Sequence, residues 1–182
     1  SAYAGAAGEI KVALVGCGGR GTGAASQAIE ADPDVRLVAM ADVFGDRLEK
    51  CFKSLSTKYD GKDRVQVNEA SKFTDFDGYK KAIDMADVVI LTTPPGFRPL
   101  HFEYAVAQGK HVFMEKPLAT DVDGIKRILE AGKEAKRKKL NVVVGLQRHY
   151  QKNYREVDKL VKNGTLGDIV SGQVYWNGGG VW

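Results

Sequence analysis

The sequence predicts an α/β fold: a doubly wound parallel sheet covered by helices on both faces, followed by the beginning of a second α/β domain. Three observations predict it. β-rich runs alternate with helical ones along most of the chain. One run, residues 88–92 (VVILT), is continuously apolar, as in a strand buried on both faces. The last β-rich run ends among glycines with no further strand to pair with, so residues 168–182 read as the start of a second domain that the chain does not complete.

The elements follow in order. Ile10–Val15 (IKVALV) is a short strand that ends at Gly16. An Ala-rich helix occupies 22–31, and the turn signal Asp32-Pro33 leads into a second strand, Val35–Ala41. Residues 44–59 carry helical spacing through Leu48, Phe52 and Leu55. A polar, irregular stretch, 60–76, contains a possible short strand at 65–67, and 79–85 is a short helix.

After the strand at 88–92, the segment 93–99 (TPPGFRP) holds three prolines in seven residues and reads as a loop. Residues 100–108 are helical, with Gly109 as the stop. His111–Met114 is the next strand. Thr120 and Asp123 look like a capping box for a helix whose apolar stripe runs Ile125, Ile128, Leu129 and Ala135. Residues 141–146 form another strand, 154–161 an amphipathic helix, and 169–176 (IVSGQVYW) a strand with one exposed face. The predicted organisation is a tail at 1–8, a nucleotide-binding domain at 9–149, and the start of a second domain at 150–182.

Composition bounds the function. The chain has 182 residues, 43% hydrophobic and 27% charged, which suits an ordinary folded domain. No apolar stretch is long enough to span a bilayer. Residues 1–8 (SAYAGAAG) read either as a natural tail behind a cloning scar or as the stub of a removed export signal, so the compartment, cytoplasmic or exported, stays open. The net charge is +4, but the dense basic run 133–139 sits at a predicted helix end, where cations complement the dipole. No aromatics interleave with it, so a nucleic-acid partner is not expected. Cys17 and Cys51 form no metal pattern, and Cys17 reads as a small buried side chain.

Gly16-Cys17-Gly18-Gly19-Arg20-Gly21 fits G-x-G-x-x-G. The first glycine permits a tight turn out of the strand, the second lets a pyrophosphate approach the backbone, and the third lets helix and strand pack closely. Free N–H groups at the helix start then face the phosphates. The turn follows a strand and opens a helix, and Asp42 closes the second strand 21 positions after Gly21. A carboxylate there accepts from a ribose diol and repels a 2′-phosphate, so the reading is a Rossmann-type domain that binds NAD rather than NADP. Arg47 lies close enough in sequence to keep NADP open. Gly19 belongs to the same cradle, and Arg20 either touches the pyrophosphate or is solvated.

In such a sheet, ligands sit outside the carboxyl ends of the strands. Three loops share that edge. Thr93 and Pro94 line the cofactor. Glu115-Lys116-Pro117 follows a strand directly, and Gln147-Arg148-His149 follows the last strand. Lys116 is the candidate catalytic residue: a partly desolvated lysine can take a hydroxyl proton during hydride transfer, or hydrogen-bond the substrate oxygen. Glu115 would hold the lysine in place. Glu115, Lys116 and Gln147 complete the cofactor-binding set. His101 is either a packing residue or a functional one, and His149 is likewise open.

Taken together, GCGGRG, Ala41-Asp42-Val43, the TPP loop, and Gly109-Lys110-His111-Val112 leading into Glu115-Lys116-Pro117 resemble the Gfo/Idh/MocA oxidoreductases across about residues 9 to 176. The resemblance implies a Rossmann domain followed by a larger α/β domain whose open sheet often makes a homo-oligomer interface. It implies hydride transfer between NAD(P) and a sugar or polyol. By it, Lys116 corresponds to the family's active-site lysine, and Gly16, Gly18, Gly21 and Asp42 to cofactor positions. The Asp/His pair of the family's second domain has no counterpart in this sequence. Two alternatives stand: an NAD-dependent glycoside hydrolase, and a nucleotide-binding fragment without catalysis. The turn's likeness to GGRGTG also favours the export-stub reading of the N-terminus.

Overall fold

The strands assemble into one six-stranded sheet in the order β3-β2-β1-β4-β5-β6, in a computed structural model that describes residues 8–178. β1 is Ile10–Val15, β2 Val35–Ala41, β3 Lys72–Phe73, β4 Val88–Leu91, β5 His111–Met114 and β6 Val142–Val144. Every pairing is parallel. The helices between them are α1 Gly19–Ala31, α2 Gly45–Lys58, α3 Gly78–Asp84, α4 Arg98–Ala107 and α5 Val122–Arg137.

Alternation along each strand feeds two cores. Val12, Leu14 and Ile90 face one way and pack with Ala24, Ala25 and Ile29 of α1 and Leu48, Cys51 and Leu55 of α2. Ala13, Val15, Val89, Leu91, Val112 and Met114 face the other way, against Ile83 of α3, Phe102 and Val106 of α4, and Ile128 of α5. Burying each such large side chain contributes roughly 1.5–3 kcal/mol. A register shift between Val12 and Ala13 skips one residue of β2, so Val38 and Ala39 both join the second core before alternation resumes. The strand order reverses between β1 and β4, and that reversal places the site.

Several boundaries differ from expectation. α1 begins at Gly19, three residues early, because the glycine turn feeds straight into helical hydrogen bonding, with Thr22 N donating to Gly18 O. Val65 makes only an isolated bridge to Leu37, and the third strand is Lys72–Phe73. The segment predicted as a loop at 93–99 contains a 3₁₀ turn, Pro95–Phe97, and the first two residues of α4, since Pro99 sits where its missing N–H costs nothing. The α5 cap is Asp121, whose Oδ1 accepts from Gly124 N at 2.6 Å, rather than Thr120. The buried stripe of α5 is Gly124, Ile128, Ala131 and Ala135. Ile125 and Leu129, expected in that stripe, stay exposed, Leu129 at 60%.

The basic run does close a helix end. Lys136 and Arg137 occupy the last turn of α5, and Lys138 Nζ donates to Val106 O and Ala107 O at the end of α4.

The described chain divides into two compact units, one ending at Gly145 and one beginning at Leu146. The second holds α6, Gln147–Tyr150, and α7, Lys152–Lys162. The strand expected at 169–176 does not form: Ile169, Val170, Val174, Tyr175 and Trp176 are exposed and pair with no strand among the described residues. A strand needs a neighbour for its backbone groups, whatever its side-chain pattern. The expected tail up to residue 7, and the chain end from residue 179, lie outside the described residues. No helix among the described residues is long and apolar enough to cross a membrane.

Candidate functional site

The site lies where β1 and β4 end side by side. Gly16 leaves β1 with φ +98°, a conformation open to glycine. A Cβ there would stand 2.6 Å from Thr93 N. A Cβ on Gly21 would stand 1.9 Å from Gly16 O. These two glycines are therefore demanded by the protein's own packing. Gly18 and Gly19 are different: a Cβ on either would meet nothing within 4 Å. Their bareness serves no internal contact, and it leaves backbone open to a ligand.

Gly18 also caps α1, with no side chain filling the cap and no acidic residue in the first turn. The first N–H groups of the helix remain for an anion. A dinucleotide pyrophosphate fits this cradle.

Asp42 sits just beyond β2 and is tied to the turn. Its Oδ2 accepts from Cys17 N at 2.6 Å and its Oδ1 from Phe44 N at 2.9 Å. An ionised carboxylate has about four acceptor positions, so two remain for a ribose diol. The glycine turn thus orients the carboxylate, in a way spacing alone does not show. Arg47 stacks over the Phe44 ring, 4.8 Å from its centroid, one turn into α2.

The loop after β4 closes the other side. Thr92 Oγ1 donates to Gly16 O at 2.6 Å, which holds the turn against β4. Thr93 Oγ1 lies 3.2 Å from His101 Nδ1. Pro94 is exposed beside it.

Arg98 is the largest fully buried side chain, 1% exposed. Its Nη1 donates to Glu115 O and its Nη2 to Thr93 O. One guanidinium therefore clamps the loops after β4 and β5. Its Nε has no partner. Burial pulls the Arg98 pKa below its ordinary value, opposed by the Glu115 charge. The sequence does not single out Arg98, and it shows Thr92 only as the start of the rigid loop 92–95 at the ligand edge. An arginine between prolines reads as loop polarity, and only the fold buries it.

Glu115 points to a partner other than the expected one. Its Oε1 takes Arg20 Nε at 2.6 Å, with the Glu115 side chain 12% exposed. Arg20 thus pairs with a carboxylate and, more weakly, with Gln27, while its side chain stays 47% exposed. Glu115 does not hold Lys116. Lys116 stands exposed at the strand end, without the desolvation expected for it, and its peptide bond to Pro117 is cis.

His101 is a packing residue. It is 5% exposed, stacked on Tyr79 with centroids 4.2 Å apart, and flanked by Phe97. Burial and the nearby Arg98 charge push its pKa down to about 4. Gln147 and His149 belong to the second unit, in α6, rather than to a loop of this one.

The comparisons with known proteins agree with this geometry. A family model described as an oxidoreductase family with an NAD-binding Rossmann fold matches residues 10–146. An inositol 2-dehydrogenase of Serratia proteamaculans is 32% identical over 163 residues, covering 87% of this chain and 43% of that protein. A glycosyl hydrolase family 109 protein of Streptomyces coelicolor is 26% identical over 165 residues, 90% of this chain and 33% of that protein. A scyllo-inositol dehydrogenase of Lactobacillus casei, solved with NAD(H) and scyllo-inositol, superposes with a TM-score of 0.68 at 28% identity, covering 88% of this chain and 43% of that one. The chain thus spans less than half the length of these relatives.

Proposed function

The chain belongs to the Gfo/Idh/MocA oxidoreductase family and carries its NAD-binding Rossmann domain, and from that premise we propose that it is the cofactor-holding part of a polyol dehydrogenase. The observation that carries this is the pair of bare glycines, Gly18 and Gly19, facing open space beside the Asp42 carboxylate. Gly18, Gly19 and the α1 N-terminus hold the pyrophosphate, and Asp42 the adenosine ribose. Thr93 and Pro94 line the nicotinamide side. Arg20 and Glu115 act as a strut between the turn and the β5 loop.

Bound NAD(H) supplies the hydride acceptor or donor. Lys116 hydrogen-bonds the reacting hydroxyl and takes up its proton, or returns it in reduction. The Arg98 clamp fixes the carbonyl of the residue before the lysine. The inositol dehydrogenase relatives support a cyclic polyol as substrate class. Hydride transfer and glycoside cleavage differ in net product. Incubating the complete protein with NAD and a polyol panel is expected to accumulate NADH, and Lys116→Ala to remove turnover while NAD still binds. Aglycone release without NADH would instead favour the hydrolase reading, and an unchanged rate in Lys116→Ala would reject the lysine's role.

A further inference from the structure

Thr93, the second residue beyond β4, is held at three of its atoms. Its N backs so closely on the glycine turn that a Cβ on Gly16 would stand 2.6 Å away. Its carbonyl oxygen takes Arg98 Nη2. Its Oγ1 lies 3.2 Å from His101 Nδ1. Arg98 and His101 both sit in the first turn of α4, and both are buried. One helix end therefore grips the backbone and the side chain of a residue that is itself only half-buried.

Packing explains the His101 ring, stacked on Tyr79 at 4.2 Å with the Phe97 centroid 6.1 Å away, but a phenyl ring would pack there as well. What imidazole adds is a nitrogen at the edge facing Thr93. We propose that His101 is a positioning residue for the cofactor: it fixes the Thr93 hydroxyl so that its oxygen accepts from the carboxamide of the nicotinamide. This role rests on Thr93 lining the nicotinamide side of the crevice.

The direction of the hydrogen bond follows from charge. A neutral imidazole carries a proton on one nitrogen and a lone pair on the other. Burial and the Arg98 charge keep His101 neutral, with its pKa down at about 4. Arg98 reaches Thr93 O while Nδ1 reaches Thr93 Oγ1, so the positive charge lies on the Nδ1 side of the ring. A lone pair faces that charge more favourably than an N–H does, which puts the proton on Nε2. Thr93 O–H therefore donates to Nδ1, and its lone pairs are left to accept. A free hydroxyl would rotate and offer a donor as readily as an acceptor. A carboxamide has an NH2 end and a C=O end. An acceptor-only partner selects the NH2 end, and with it one of the two orientations of the group.

Calorimetry with two ligands separates this role from packing. NAD carries the carboxamide, whereas ADP-ribose has the same pyrophosphate and adenosine without the nicotinamide. The chain is titrated with both as wild type, Thr93→Val, His101→Phe and His101→Asn, each with a thermal melt. Wild type is expected to bind NAD more tightly than ADP-ribose. Thr93→Val and His101→Phe are each expected to raise the NAD Kd about threefold to tenfold, and to leave the ADP-ribose Kd within about twofold. Combining the two should weaken NAD binding no further than the worse single change. His101→Asn puts an amide oxygen near the Nδ1 position. It is expected to bind NAD more tightly than His101→Phe, although it melts lower for want of a ring. The reverse order, with His101→Phe binding NAD as wild type does, overturns the proposal and leaves His101 to packing alone. A loss shared equally by ADP-ribose overturns it too, since the turn rather than the carboxamide is then affected. Thr93→Val keeps the shape of the side chain and decides the case by itself if a His101 variant fails to fold. Wild type that binds ADP-ribose as tightly as NAD would overturn the contact with the nicotinamide, and wild type that binds neither would overturn the NAD assignment itself.

Discussion

At the residue scale, the glycine turn separates into residues the protein needs and residues a ligand needs. Gly21→Ala forces a Cβ against Gly16 O and is expected to cost about 1–3 kcal/mol or more, seen as a lowered urea midpoint along with weakened NAD binding. Asp42→Ala removes the acceptor for Cys17 N and Phe44 N and the anchor for a ribose. It is expected to lower NAD affinity about tenfold and to narrow the preference over NADP, measured by paired titrations. His101 makes stability pH-dependent. The folded chain protonates it only near pH 4, whereas an ordinary histidine takes a proton near 6.5. The unfolded state thus binds more protons between those values. Stability from this group is full above pH 6.5 and declines toward pH 4 by up to about 3 kcal/mol. Denaturant titrations across that window should show a shallower slope in His101→Phe than in the wild type. Sequence spacing identified Gly16, Gly21 and Asp42 as a set. It could not show Arg20 turning to Glu115, because a charged pair 95 residues apart is decided by the sheet.

At the scale of elements, Arg98 links two loops that the sheet merely brings near each other. Replacing it by Met leaves Thr93 O and Glu115 O without this donor and loosens the segment carrying Lys116. Arg98→Met is expected to destabilise the domain by about 2–4 kcal/mol in urea unfolding, and Arg98→Lys by less, since an ammonium keeps donors for these carbonyls but lacks the rigid planar fork of the guanidinium. An unchanged midpoint in Arg98→Met would show that the clamp contributes little. The strands of the sheet were legible because each is short, apolar and followed by a helix pattern. The third strand was not, because Lys72–Phe73 carries no periodicity and exists through Met40 and Ala41 beside it. The α5 stripe was misjudged because Gly124 and Ala131 give no hydrophobic signal, yet Gly124 must be bare to pass Ala119 and Pro99, which a Cβ would meet at 2.8 and 3.1 Å.

At the scale of the molecule, the sheet order explains why the site has the parts it has. Reversal at β1 and β4 opens a crevice, the glycine turn and Thr92 face each other across it, and β5 adds Glu115 and Lys116 on one side. Among its described residues, the unit from Leu146 onward holds helices and no strand. The alternating pattern at 169–176 suggested a strand, but pattern sets only which side chains share a face, and partners set whether the strand exists. Gly18 is proposed to be bare because a dinucleotide pyrophosphate lies against it. Calorimetric titration of NAD and NADP into wild type and Gly18→Val tests it most directly, with a thermal melt of each. A Cβ at Gly18 meets nothing in the protein, so folding stability should fall by only the ~1 kcal/mol of a poorer helix cap. Wild type is predicted to bind NAD more tightly than NADP, and Gly18→Val to melt near wild type with NAD binding lost; a variant that binds NAD as the wild type does would contradict the account.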